Sequence, residues 1–197
     1  MKERPILFKG PLVRAILAGQ KTVTRRLLKM PHGFWEASAT GELVPIPANC
    51  PYGKPGDRLW VRETWARVGN CDPGYLTFAA TYPDCLPPEL ENIPAASEIR
   101  WKPSIHMFRR DSRILLEITD VRVERLQDIT WEQALDEGIG DHRFECDRPV
   151  EPDGYPACSC GSVGYVDAFA ALWNSTGGDW DANPWVWVVE FKRVTPP

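Results

Sequence analysis

Residues 18–26 read Ala18-Gly19-Gln20-Lys21-Thr22-Val23-Thr24-Arg25-Arg26, and this stretch sets the opening of the fold. Upstream of it, Gly10-Pro11 opens a helix, because proline is tolerated in a first turn. Leu12, Val13, Ile16 and Leu17 follow at helical spacing, and Gly19 is a natural stop. Downstream, the run from Lys21 to Leu27 begins with β-branched alternation, which predicts a strand or a tight turn leading into one. The apolar segment Ile6-Leu7-Phe8 predicts a buried strand ahead of the helix, so the chain opens β-α-β. A lysine placed where the chain changes direction is held by backbone geometry rather than by its flexible stem. Desolvation in a pocket lowers its pKa and makes it a base or nucleophile, able to activate a nearby threonine hydroxyl. The plain alternative is a solvated basic edge of Lys21, Arg25 and Arg26. The glycine spacing of a phosphate loop is missing.

Working outward, residues 30–56 hold five prolines and four glycines and predict a loop or small hairpin. Arg58 to Trp65 reads as a strand, as does Leu76 to Tyr82. Residues 83–98 form a proline-rich excursion. Arg113 to Leu126 alternates well and is the longest expected strand, bent near Asp120. Thr130-Trp131-Glu132-Gln133 fits a capping box, in which the threonine side chain and the glutamine side chain each satisfy a backbone N–H. A short helix follows and stops at Gly138. Residues 139–163 are polar, with three cysteines and three glycines, and look like an insertion. A second amphipathic helix is expected over Tyr165 to Trp173, and a closing strand over Trp185 to Val194. Sequential strands lack ten-residue helices between them, which disfavours a doubly wound parallel sheet. The expectation is one α+β domain over residues 1–197: a small mixed barrel with helices at its mouth and loop insertions near 30–56, 83–112 and 139–163.

Gly19, Lys21 and Arg26 match, in register, the Gly-x-Lys-x-x-Glu-x-Arg signature of the ASCH domain family, which shares a barrel with the RNA-binding PUA domain. Thr24 stands at the glutamate position. Pro55-Gly56-Asp57, the strand at 120–122, the helix end Ala134-Leu135-Asp136-Glu137-Gly138 and the final Val-Val-Glu-Phe strand follow in familiar order. The N-terminal match from Arg4 to Arg26 and the close Trp173-Asn174 … Asn183-Pro184-Trp185-Val186-Trp187 resemble phage and prophage members. The threonine variant resembles the branch that hydrolyses the acetyl amide of N4-acetylcytidine. That resemblance implies Lys21 as proton acceptor, Thr24 as nucleophile and Glu137 as proton donor. Positions 21 and 24 point to opposite faces of a regular strand, so the scheme requires Lys21 to sit in a turn ahead of it. For Glu137 the alternative is a solvated helix residue.

Three further constellations stand out. Arg58, Trp60 and Arg62 share one strand face, with Trp65 on the other. Trp101-Lys102-Pro103-Ser104-Ile105-His106-Met107 mixes an aromatic, a cation and a histidine. Cations beside exposed aromatics bind nucleotides by stacking and phosphate contact, so Arg26, Arg62, Trp65 and His106 are candidate ligand contacts. The competing assignment is core packing for the tryptophans and a structural role for His106. His142, Cys146, Cys158 and Cys160 could hold a tetrahedral structural zinc, although their spacing lacks paired C-x2-C knuckles; free thiols are the alternative. No cofactor is otherwise required.

The net charge is −4, which argues against wholesale non-specific nucleic-acid binding, and the average hides a segregation. Residues 1–30 carry eight Lys/Arg and one acid, whereas residues 128–184 carry twelve acids and two arginines. No apolar run is long enough to span a membrane, and MKERPILF has no apolar signal core. These features predict a soluble cytoplasmic protein without membrane contact, whose partner is a nucleoside, a nucleotide or a short RNA. The function expected is RNA or modified-pyrimidine binding, with hydrolysis of an N4-acyl amide open. The alternatives are a non-catalytic binding module, a ribonuclease of phage origin and a phage accessory protein serving a protein partner.

Overall fold

The computed structural model describes residues 1–29, 35–37, 41, 43–45, 50–69, 72–139 and 164–195. The elements are β1 (Glu3–Leu7), α1 (Gly10–Leu17), β2 (Val23–Leu27), β3 (Trp35–Ala37), β4 (Leu43–Pro45), β5 (Arg58–Arg62), β6 (Trp65–Val68), β7 (Tyr75–Phe78), β8 (Leu115–Arg125), α2 (Trp131–Asp136), α3 (Tyr165–Ser175) and β9 (Trp185–Val194). Five strands are hydrogen-bonded in the order β1-β5-β8-β9-β2, and β3-β4 and β6-β7 form two antiparallel hairpins. Mixed pairing with few, short helices makes this an α+β protein. Among the described residues the order is open, with β1 and β2 at its ends.

The chain divides into two compact units. The first comprises residues 1–19, 49–120 and 190–197. Here β1 runs parallel to β5, with Ile6 opposite Val61, and β5 runs antiparallel to β8, with Leu59 opposite Leu116. The alternation in β5 is the one its sequence dictates: Leu59 and Val61 are buried, while Arg58, Trp60 and Arg62 are half-buried on the other face. The run expected from Arg58 to Trp65 breaks at Glu63-Thr64. Glu63 is buried there, and its two oxygens accept from Arg113 Nε and Nη2, each at 2.9 Å. A buried carboxylate needs such partners, and the chain leaves the sheet where this pair forms. Likewise, the strand expected to reach Tyr82 ends at Phe78 and passes into a 3-10 turn, where Ala80 carbonyl accepts from Arg14 Nη1 of α1 at 3.2 Å. α1 has proline in its first turn, and Gly19 beyond its end takes φ of +75°, a conformation glycine adopts at no steric cost.

Asp57 ties three strands of this unit together. Its Oδ1 accepts from Lys2 N–H at 2.8 Å, its Oδ2 from Arg4 Nη1 at 3.3 Å, and its carbonyl from Ile118 N–H at 2.9 Å.

The second unit comprises residues 20–48 and 121–189. Its core gathers Val23 of β2, Val186 and Val188 of β9, Leu126 and Ile129 just after β8, Ala134 of α2, and Phe169 and Trp173 of α3. The capping box forms as its sequence predicts: Thr130 accepts from Gln133 N–H, and Gln133 accepts from Thr130 N–H at 3.2 Å. α3 begins at Tyr165 and extends to Ser175, two residues past the expected end at Trp173. The polar insertion at 140–163, with His142, Cys146, Cys158 and Cys160, lies outside the described residues. No described helix is long and apolar enough to cross a membrane.

The Asp57 carboxyl is held below its ordinary value of 3.8, first by the Lys2 N–H and also by Arg4. A depressed carboxyl stabilises the fold above its unfolded pKa and loses that contribution as pH falls through the folded one. Wild type will therefore exceed Asp57→Asn in stability at pH 7, and the gap will narrow as pH drops below about 4. Urea midpoints at pH 7 and pH 3 check this. An unchanged gap refutes it.

Candidate functional site

Lys21 lies two residues before β2, outside the regular strand, as its expected role requires. The segment is pinned to the end of α2 by Thr22 N–H donating to Asp136 carbonyl at 2.9 Å. Glu137 is the C-cap of α2, with helical φ and ψ. Both side chains are deeply buried, each residue being 3% exposed. Lys21 Nζ donates to Glu137 Oε2 at 2.7 Å, to Glu137 carbonyl at 2.9 Å and to Val23 carbonyl at 2.6 Å. A lysine at a helix C-terminus satisfies carbonyls that the helix itself leaves open.

Arg25 completes the cluster. Its Nη1 donates to Glu137 Oε1 at 3.4 Å, and its Nη2 to Gln133 Oε1 at 2.7 Å and to Glu124 Oε2 at 3.3 Å. Its guanidinium carbon lies 5.9 Å from the Phe169 ring centroid. The glutamine oxygen that caps α2 thus also serves Arg25. Arg122 Nε also donates to Glu124 Oε1 at 2.5 Å, so three cations share the two carboxylates. The alternative of a solvated basic edge is overturned for Lys21 and Arg25, both 3% exposed, because each has an acidic partner arriving from α2 or β8.

Burial pulls the Lys21 ammonium below the ordinary lysine pKa, against the opposing attraction of Glu137. The three acceptors match the three N–H bonds of an ammonium, whereas a neutral amine has only two to offer. Thr24 is also buried, yet among the described residues its hydroxyl makes no hydrogen bond to Lys21 or Glu137. The structure therefore brings together two of the three residues expected to be catalytic and leaves the third outside their hydrogen bonds. Arg26 is half-buried in β2 and adds positive potential at Lys21.

Arg62, Trp65 and His106 meet elsewhere, around a cavity of 310 Å³ in the first unit. Lys102, Ile105, Met107 and Phe108 complete its lining. Lys102 pairs with Trp65 through the backbone, N–H to carbonyl at 2.8 and 3.2 Å. The chain then makes a 3-10 turn over Ser104–His106. Met107, 1% exposed and packed with Trp65 and Phe78, anchors the turn from below. Arg62 anchors it from the side: Nε donates to Met107 carbonyl at 3.2 Å and Nη2 to Ile105 carbonyl at 2.6 Å. Lys102 Nζ stands 4.7 Å from the Trp65 ring centroid. Lys102 belongs to a segment whose composition already marked it, but Phe108 carries no signal beyond being one more aromatic.

No protein-family model matches the chain, and no curated protein matches it. Two solved structures are similar along most of its length. One is an ASCH domain from Lactobacillus crispatus JV V101, at 15% identity and a TM-score of 0.39, covering 99% of this chain and 81% of that one. The other is a protein of the DUF984 family from Enterococcus faecalis V583, at 10% identity and a TM-score of 0.40, covering 99% and 82%.

Removing Lys21 alone leaves the buried Glu137 with Arg25 as its one cation, so Lys21→Met will cost about 3 kcal/mol. Adding Glu137→Gln to it will cost less than the sum of the single changes, with a coupling of about 1–3 kcal/mol. Urea unfolding of the four proteins in the cycle measures this, and strict additivity contradicts the pairing.

Proposed function

We propose that this chain is a nucleotide- or RNA-binding module of the PUA-like kind. The observation that supports this reading most is the cavity of the first unit. Among the described residues, Arg62 and Lys102 line it with His106, and no carboxylate does. A protein of net charge −4 has ample acid to neutralise such a site, and here it does not. Exposed Phe108 and Ile105 supply apolar faces beside the cations. A single-stranded RNA offers both chemistries that such a surface wants, anionic oxygens and flat rings.

Binding of a short fluorescent single-stranded RNA, followed by anisotropy, will be measurable at low salt and will weaken as salt rises. Lys102→Ala will weaken it about tenfold and lower the salt slope by about one. No binding at low salt defeats the reading. Shortening of the RNA during the titration would reveal ribonuclease activity instead.

A second reading is hydrolysis of the acyl amide of an N4-acetylcytidine-type substrate, favoured by the 2.7 Å contact between Lys21 and Glu137. In it, Lys21 first passes a proton to Glu137. Thr24 Oγ attacks the acyl carbon while the Lys21 amine takes the hydroxyl proton, and Glu137 protonates the departing amine. Water then cleaves the acyl-threonine ester to release the acid and free Thr24. Lys21 must first give up a proton and an acceptor to reach Thr24. Chromatography of N4-acetylcytidine incubated with the protein will then show cytidine, abolished by Lys21→Ala with circular dichroism unchanged. Absence of turnover on nucleoside, nucleotide and RNA eliminates this reading.

A further inference from the structure

We propose that the first-unit cavity is a site for a nucleoside phosphomonoester, free or as the phosphorylated end of a single strand, with the phosphate on its cationic wall and the base against Phe108. This rests on the binding-module reading and narrows it to one kind of group.

The first observation is an orphaned donor. Trp65 is 4% exposed, and among the described residues its Nε1 has no hydrogen-bond partner. A buried indole N–H ordinarily finds an acceptor. Trp65 also lines the cavity, so a ligand seated there lies beside this indole. The second observation is what the cations have already spent. The Arg62 guanidinium uses Nε and Nη2 on the backbone of the 104–107 turn, and it stacks on Trp60 with 5.2 Å to the ring centroid. Its Nη1 donates to no described residue. A fork fixed in this way loses little freedom when an anion arrives. Lys102 is placed over Trp65 by the backbone bridge between the two residues.

Arg62, Lys102 and His106 bring nitrogen donors of different geometry to the lining of this cavity, beside the Trp65 ring. A terminal phosphate has three free oxygens and a charge near −2, whereas a phosphodiester inside a strand has two free oxygens and one charge. The monoester therefore uses more of the wall. Next to these donors the lining turns apolar, with Phe108 61% and Ile105 57% exposed, and Arg110 lies 5.3 Å from the Phe108 ring centroid. An anion with a flat ring attached suits that change of character better than inorganic phosphate alone. The volume, 310 Å³, is at the small end of ligand pockets, which suits one nucleotide rather than a tract.

The test is a titration of ¹⁵N-labelled full-length protein, following the Trp65 indole resonance assigned by Trp65→Phe. The probes are cytidine 5′-monophosphate, cytidine, inorganic phosphate, and one RNA octamer with either a 5′-phosphate or a 5′-hydroxyl. The monophosphate and the phosphorylated octamer will shift the Trp65 indole, and the monophosphate will bind at least tenfold tighter than cytidine or inorganic phosphate. Lys102→Gln, which keeps most of the stem over Trp65 and removes the charge, will weaken the monophosphate about tenfold; Lys102→Arg will restore most of the loss. If both octamers bind equally and the monophosphate does not, the phosphomonoester assignment falls while the RNA-binding reading stands. If nothing binds, both fall. An indole resonance that ignores every phosphate, as it would if only water met Nε1, also overturns the assignment.

Discussion

The second unit is organised around one buried ion pair. Lys21 and Glu137 stand 116 residues apart in sequence and 2.7 Å apart in space, with almost no exposure on either side. Two charges taken out of water are costly unless every donor and acceptor is met, and here each is. Lys21 uses two carbonyls besides the carboxylate, and the second carboxylate oxygen takes Arg25. The net contribution of such a pair to stability is small compared with its cost if broken. What it supplies is selection among arrangements. A one-residue slip of β2 would turn Arg25 to the opposite face and strand both Glu137 and Gln133. The register of β2 is therefore fixed relative to the end of α2 by charge as well as by the apolar core.

That pairing explains the lopsided charge of the sequence. The basic first thirty residues and the acidic stretch from 128 to 184 look like two faces offered to different partners. Part of the contrast is instead consumed internally, since Lys21 and Arg25 meet Glu137 from the acidic stretch and Glu124 just before it. Linear charge counts miss this, because they cannot separate a solvated cation from a buried one. The cations that remain at an open cavity, Arg62 and Lys102, come from neither block.

Where local physics decides, the sequence is a sufficient guide. Period-two alternation in residues 58–62, the apolar valine-rich run at 185–194, proline and glycine around α1, and the capping box at Thr130 each produce the expected element, because the interactions involved span a few residues. The misplacements fall where a distant partner intervenes. The strand after Arg58 ends at Arg62 because Glu63 answers Arg113, fifty residues on. The site divides the same way. No spacing rule places residue 21 beside residue 137, and Glu137 entered through family resemblance alone. Lys102 and His106 were marked by local composition. Phe108 was not, because an exposed phenylalanine has no pattern until a cavity forms beside it.

The two clusters also differ in what they leave undone, and this separates a binding role from a catalytic one. A general base needs an accessible lone pair, and a nucleophile needs that base within reach. Lys21 has three acceptors for its three protons, so using it as a base means dismantling contacts that fix β2 to α2. Burial lowers its affinity for the proton, but the geometry that accompanies burial is drawn for the protonated form. The first-unit cavity is the reverse case. Its turn is secured by Met107 and by two of the Arg62 nitrogens, yet the remaining Arg62 nitrogen and the Trp65 indole have no described acceptor. Donors held rigid and left unanswered cost a protein stability in the empty state, and a ligand that supplies the acceptors recovers that cost as affinity.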